Sequence, residues 1–429
     1  MATADVDPPT EQQEDFSNVT SVVESRGDDV EEGKVKGDNQ QAMVADPPPI
    51  RSMILVMLCM FQGYASMVGP LQSAFKHALG AAGHSEKAHV FTQAAVCVHY
   101  GKLLARLGHN VVLGFATPWL RVLISMAFML VGVLVPPLVV FSLGSDWVGT
   151  VFIAYLLSGL GLGVFEVTFL SVITPLGKST KAWTIVGAPA GFATINILGL
   201  MLTSFGVPVV WLYWYIVACL PVGIYIFYLK APRGQAELKT VNFRSSLWSW
   251  RCWMPQMLPF FMAQFVSHFA MENWPSIFYM FRARMIPLFN PRGDDHLVNW
   301  DQFFAVTYVF IFLGDAISRR VAFYLNCPTT SRIYLYLGAS VIGIIAGLAL
   351  EGTAIAAIIP FAIFLVFWGN GTIYGLTAKY IDMDIPSAHN LASYSFWCFI
   401  GDLGAILGGV LVESTHQLFC VGHHGPYEC

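Results

Sequence analysis

An all-α polytopic membrane protein, about eleven transmembrane helices in two bundles, is the fold class this sequence predicts, on three observations. Of 429 residues, 55% are hydrophobic and only 12% charged, where a soluble domain carries about 25% charged residues. Stretches of predominantly apolar residues long enough to cross a bilayer, about 20 each, recur eleven times. The charges are also segregated: residues 1–50 hold twelve acids and three bases, net −9, and residues 51–429 hold twenty bases and fifteen acids, net +5. An ordinary cytosolic enzyme is excluded, and so is a nucleic-acid binder, which needs a basic face.

The elements follow in order. Residues 1–50 are rich in Asp, Glu, Gln, Gly and Pro, cannot bury a core, and predict a disordered acidic cytosolic tail. Pro47-Pro48-Pro49 ends it as a stiff spacer. No apolar stretch lies there, so no cleavable signal is expected and the first span acts as its own signal. Spans near 52–72, 89–112, 119–141, 147–172, 183–205 and 208–230 make an N-terminal six-helix bundle over residues 51–230. A cytosolic connector, 231–253, presents Trp248, Trp250 and Trp253 to the membrane interface. Spans near 254–281, 300–324, 331–350, 353–378 and 389–412 make a C-terminal five-helix bundle over 254–413, leaving 414–429 as a lumenal tail. With the N-terminus in the cytosol, fifteen Lys and Arg residues fall on the cytosolic side. Only Lys76, Lys87, Arg282, Arg284 and Arg292 fall opposite, so the positive-inside rule sets that orientation.

Some chemistries are not expected. The eight cysteines form no CxxC pair, and Cys59, Cys97, Cys219 and Cys398 read as small buried hydrophobes. His416, Cys420, His423, His424 and Cys429 hold potential ligands, but their spacing matches no closed zinc site, so no metal is predicted. A Cys420–Cys429 disulfide and plain disorder are the other readings of that tail. With no glycine-rich phosphate loop, HExxH or GxSxG, neither an enzyme nor a cofactor site is predicted.

The two halves carry a repeat. Gly101-Lys102-Leu103-Leu104-Ala105-Arg106-Leu107-Gly108 is read as closing the second span, and Gly314-Asp315-Ala316-Ile317-Ser318-Arg319-Arg320 as closing the eighth. In each an Arg follows the Gly by five residues, and nearly the same offset lays Ser158-Gly159 on Asn370-Gly371. Two related halves are the pattern of a rocking transporter with its site between them. Gly101, Gly314, Asp315 and Arg319 are read as gate-loop residues.

Gly101, Leu103, Arg106 and Gly108 resemble the loop signature of the major facilitator superfamily, with Ala105 where that signature has an acid. Ser158-Gly159-Leu160-Gly161 and Glu166-Val167-Thr168-Phe169-Leu170-Ser171 resemble the battenin family, in which the two motifs are contiguous; here Leu162-Gly163-Val164-Phe165 separate them. Ile400-Gly401-Asp402-Leu403-Gly404, Gly408-Gly409-Val410-Leu411 and Leu418-Phe419-Cys420 resemble that family's last span and close. The resemblance implies a major-facilitator two-bundle fold and an alternating-access solute carrier of a lysosome or vacuole. It also implies a role in lysosomal pH and solute homeostasis, with glycerophosphodiesters or basic amino acids as cargo. Asn370-Gly371 and the span count resemble equilibrative nucleoside transporters as well. A transport-inactive scaffold with a recruiting acidic tail is a third reading.

An ionisable side chain at a helix centre costs ~2.5–3.5 kcal/mol on insertion scales, so those that remain face a cavity or a partner. Glu166, among Gly159, Gly161 and Gly163, is a candidate for proton or cation coupling, or a carboxylate bonded to the next helix. His268 and Glu272 share one helical face, with Gln264 and Asn273 beside them, and form a candidate pH-sensitive substrate or proton site. Asp402 is a candidate substrate or proton contact, or a partner for Lys379 or an Arg. His99, Lys102 and Arg106 form one cationic stripe that would suit an anionic solute, or mark a cytosolic helix end. The expected partners are a small-molecule substrate, protons and the bilayer.

Overall fold

In hydrocarbon every backbone polar group must be satisfied within the chain, so apolar runs of this length fold as helices. The computed structural model describes residues 49–68, 71–81, 86–233, 248–273, 285–289, 296–325, 330–353 and 355–421. The acidic tail, most of the expected connector, and the pairing of Cys420 with Cys429 lie outside the described residues.

The eleven expected spans are present: α1 (Ile50–Val68), α2 (Glu86–Val112), α3 (Pro118–Ser142), α4 (Gly149–Leu176), α5 (Lys178–Ser204), α6 (Val209–Lys230), α7 (Trp250–Asn273), α8 (Trp300–Tyr324), α9 (Ser331–Glu351), α10 (Ile359–Asp384) and α11 (Asn390–Val421). A short helix, Leu71–Ala78, follows α1. Among the described residues, nine of the eleven are long and apolar enough to cross a membrane, α7 being described only to Asn273. The two that fall short, α2 and α7, carry Lys102 and Arg106, and His268 and Glu272. The polarity that weakens them as spans is what they bring to the interior.

Local chemistry sets the ends and bends. Thr117 accepts from Leu120 N at the start of α3, with Pro118 in the first turn, where its missing N–H costs nothing. Asn299 caps α8 through Asp301 N. Gly177 takes φ +93°, a value open to glycine, and so turns α4 sharply into α5. Five-residue hydrogen-bond turns interrupt α3 at Pro136–Ser142 and α5 at Thr194–Leu198.

Within the N-terminal half α4 packs on α2 and α3; within the C-terminal half α10 packs on α8 and α9, and α7 on α11. The halves meet where α2 lies on α11 and α5 on α8. The α2–α4 and α8–α10 crossings use the same device. A Cβ on Gly159 or Gly163 would strike the Val98 and Lys102 carbonyls, and one on Gly371 or Gly375 would strike those of Asp315 and Arg319. Glycines thus let each helix pair approach to backbone contact.

These crossings correct two expectations. The Gly101–Gly108 run lies inside α2, and Gly314–Arg319 inside α8, so Gly101, Gly314, Asp315 and Arg319 are helix residues rather than gate-loop residues. Relative to the crossing glycines, Arg319 stands where Lys102 stands, one turn away from the Arg106 equivalence that motif spacing implied. Gly101 itself packs on the Leu156 carbonyl of α4.

Other departures are local. α7 begins at Trp250, inside the expected connector, and buries Trp253 against Phe396, while Trp248 and Trp250 stay exposed. α11 runs to Val421, past the expected end at 412. Between α7 and α8, Met285–Pro287 pairs antiparallel with Leu297–Asn299. Three residues per strand are too few for an alternating pattern to show. Leu288 O accepts from Ala357 N, which ties this hairpin to the segment before α10.

Candidate functional site

One cavity of about 570 Å³ lies between the halves. Its walls come from α1, the short helix Leu71–Ala78, α2, α4 and α5 on one side and α7, α8, α10 and α11 on the other. The remaining helices, α3, α6 and α9, contribute nothing to the lining. Phe61, Tyr64, Phe192 and Tyr308 give it an aromatic wall, and three cations and four acids gather toward its floor.

The floor is an ion cluster that crosses the seam. Arg106 of α2 donates from Nε to Asp402 Oδ2 of α11 at 2.8 Å, from Nη2 to Glu166 Oε2 of α4 at 2.6 Å, and from Nη1 to Gly163 O at 3.2 Å. Lys102 Nζ lies 3.1 Å from Asp402 Oδ1 and donates to Tyr64 OH at 3.4 Å. Tyr374 OH of α10 donates to Glu166 Oε1 at 2.9 Å. The fork of a guanidinium suits such multidentate pairing; an ammonium could not reach all three acceptors. Asp402 is wholly buried, so its charge is tenable only because two cations flank it.

A second cluster stays within the C-terminal half. Arg319 Nε and Nη2 each lie 2.9 Å from one oxygen of Asp315, four residues earlier on α8. Asn370 Nδ2 donates to Asp315 Oδ1 at 3.2 Å and accepts at Oδ1 from Ser267 at 2.9 Å. The Arg319 guanidinium stacks over the Tyr374 ring, 4.0 Å from its centroid. Tyr374 thus touches both clusters.

Of the expected site residues, the cavity brings together Glu166, His268, Glu272, Asp402, His99, Lys102, Arg106, Asp315 and Arg319. Asn273 is not among them: its Nδ2 donates to Phe269 O within α7 and its amide lies against Gly408 of α11. Lys102 and Arg106 are buried at the cavity floor rather than at a helix end, and both already pair with acids there. Lys379, an expected partner of Asp402, instead caps the Phe323 and Leu325 carbonyls. His268 Nε2 lies 2.7 Å from Gln264 Nε2, so the imidazole nitrogen accepts there. Among the described residues no hydrogen bond or ion pair reaches the Glu272 carboxylate. Sequence reasoning missed Tyr64 and Tyr374, two tyrosines among sixteen. Only their spacing from the floor charges, known after folding, distinguishes them.

Beyond this floor the seam is sealed on the face where α5, α7 and α11 begin. There Lys181 reaches Asp382, Asn110 Nδ2 donates to Ser395 Oγ at 3.3 Å, and Arg320 stacks on Trp183. The cavity lies on the opposite side of the floor, where the halves meet through apolar contacts such as Phe192 with Tyr308.

The architecture matches solved transporters of the major facilitator superfamily. A crystal structure of the Escherichia coli fucose:proton symporter FucP superposes with a TM-score of 0.58 at 15% identity, over 88% of this chain and 93% of that one. A second FucP structure, described as in the outward conformation, gives 0.60 at 14% identity over the same shares. No protein-family model and no curated sequence matches the chain. The likeness shows the fold: a helical, multi-pass membrane protein of the major-facilitator architecture, with one short strand pair of its own.

Proposed function

We propose that the protein is a membrane solute carrier that works by alternating access, its two halves rocking about the shared cavity. The observation that carries this reading is the floor itself: Arg106 and Lys102 of one half are paired with Asp402 of the other inside a cavity lined by both. A rigid scaffold gains nothing from pairing three buried charges across a seam. In a rocking carrier they form a clasp whose partners can change as the halves part.

The cargo is a small polar organic solute. A volume near 570 Å³ falls in the range of small-molecule sites, and the aromatic wall offers faces for ring or alkyl stacking. Glu272, with His268 one turn away, is the proton-coupling candidate, because among the described residues no cation forms an ion pair with its carboxylate. The Lys and Arg distribution favours a cytosolic position for the sealed face and a lumenal or external one for the cavity. Likeness of the Glu166 and Asp402 motifs to the battenin family favours a lysosomal or vacuolar membrane. Asn370, on which the nucleoside-transporter reading leaned, is occupied by Ser267 and Asp315, which favours the first reading.

Reconstituted vesicles with an imposed pH gradient test this. Uptake of a small-solute panel should depend on the gradient, and Glu272→Gln should flatten that dependence while counterflow exchange persists. Gradient-driven uptake unchanged by Glu272→Gln would remove Glu272 from the coupling role, and no uptake of any solute would count against the carrier reading.

A further inference from the structure

We propose that the cavity selects its cargo by charge: it takes an organic cation, an amine with a ring or alkyl body and no carboxylate, and Glu272 receives the ammonium. The inference rests on the carrier reading and narrows its cargo.

Three cations and four acids line the cavity, net −1 with both imidazoles neutral. All three cations are committed: Arg106 to Asp402 and Glu166, Lys102 to Asp402, and Arg319 to Asp315. One of their nitrogens, Arg319 Nη1, lacks an acceptor among the described residues, and it is closed off from solvent. An anionic group entering the cavity can therefore take a cation only by stripping an acid of its partner, which leaves that acid's charge uncompensated. Glu272 is in the opposite position. The charges that act on it are Lys102 and Asp402, and those two pair with each other at 3.1 Å. Its carboxylate, partly exposed on the cavity wall, is left for the cargo to answer.

The surroundings suit a cation with apolar bulk. Phe61, Tyr64, Phe192 and Tyr308 run as one chain of rings, successive centroids 6.3, 6.4 and 6.3 Å apart. Lys102 Nζ already stands 5.2 Å from the centroid of the Tyr64 ring, close enough for cation–π attraction, so positive charge is accepted along this wall. On the other side α11 passes close to Glu272, because a Cβ on Gly408 would sit 3.1 Å from the Glu272 Cβ. The next residue, Gly409, borders the cavity, and a Cβ there would meet nothing within 4 Å. Space for a head group thus lies beside the carboxylate. An amino acid fits worse than the corresponding amine, because its own carboxylate finds no uncommitted cation. The basic amino acids and glycerophosphodiesters that the battenin resemblance implies are therefore weaker cargo than simple amines.

The test uses solutes that share one phenyl ring and differ in charge: phenethylamine, phenylalanine, 3-phenylpropionate and 2-phenylethanol. Their dissociation constants are measured by titration calorimetry on the full chain in lipid nanodiscs at neutral pH. Phenethylamine should bind at least about tenfold more tightly than each of the other three. Its quaternary analogue, phenethyltrimethylammonium, should bind about as well, since charge rather than N–H donation is what Glu272 answers. Glu272→Gln should weaken phenethylamine to about the level of 2-phenylethanol and leave the alcohol unchanged. Phenylalanine or 3-phenylpropionate binding as tightly as the amine would overturn the proposal, as would phenethylamine affinity unchanged in Glu272→Gln, or no binding of phenethylamine at all. If Glu272→Gln fails to fold, the solute series on the parent chain decides alone. Binding needs no transport, so a chain that moves some other solute in vesicles but shows no preference for the amine loses this proposal and keeps the carrier reading.

Discussion

The helices α2 and α8 hold matching places in the two halves, each crossing its neighbour through paired glycines, yet they handle their cations differently. On α8, Arg319 pairs through Nε and Nη2 with Asp315 four residues away, so the pair moves with its own half. On α2, Lys102 and Arg106 have no acid on their own helix face and reach instead for Glu166 on α4 and Asp402 on α11. One half carries a closed pair; the other carries cations that depend on the opposite half. Only the second arrangement must be remade when the seam opens, so the moving charge of the cycle is placed on the α2 side.

The largest effect that would break this comparison comes from Asp402→Asn. It leaves Lys102 and Arg106 one charge in excess in a buried site, and losing a partner from such a pair costs ~3–5 kcal/mol. Thermal melting should fall by several degrees and vesicle flux by at least about 100-fold, since 1.4 kcal/mol is tenfold. Asp315→Asn should lower melting by a comparable amount but cost flux less. Equal losses of flux from the two would erase the distinction between α2 and α8. Next in size, Gly163→Ala and Gly375→Ala should destabilise by ~1–3 kcal/mol each through overpacking, and equally, because each Cβ meets a Cβ and a carbonyl at matching positions: Ala105 and Lys102 for Gly163, Ala322 and Arg319 for Gly375. A clear inequality in their melting temperatures would break the structural repeat.

Arg106→Lys tests the fork. An ammonium can keep Asp402 but not Glu166 and Gly163 O together, so flux should drop about tenfold, ~1.4 kcal/mol of barrier, and melting should fall, though less than in Asp402→Asn because the net charge of the site is kept. Arg319→Lys should lose less, since its acceptor is one neighbouring carboxylate. Smallest of all is Lys87→Ala. Its pair with Asp146 is exposed on both sides, and such pairs contribute little. The Lys87 amino group holds the Asp146 carboxyl below the usual carboxylate range, so what the pair gives is present above that range and fades as pH falls through it. Melting curves of Lys87→Ala and the parent chain should coincide at neutral pH.

Much of this was legible in the sequence, and the gaps have physical causes. Span positions follow from apolar length, which is local, and all eleven appear. Glu166 and Asp402 stood out because charge in an apolar run demands a partner. Who the partner is cannot be read locally: Arg106 and Asp402 are 296 residues apart. Lys181 is one of the fifteen Lys and Arg residues of the expected cytosolic side, and nothing about its neighbours in sequence shows that it is buried and paired with Asp382 of the other half. The glycine-rich runs read as loops because glycine weakens a helix in water, whereas in a packed bundle the same residue permits helix contact. Motif spacing also misaligned the halves by a turn, since it matched Arg106 to Arg319 while the crossing glycines match Lys102.

Rocking about the charged floor is tested most directly by distances across the two faces of one chain in the same sample. Spin labels at Lys178 and Asp384 span the sealed face, and labels at Trp147 and Phe289 span the opposite one; all four positions are exposed. Alternating access requires two populations at each pair, with the face between 178 and 384 widening in the conditions where that between 147 and 289 narrows, and Asp402→Asn shifting both in opposite senses. A single distance at each pair, unmoved by Asp402→Asn, would contradict it.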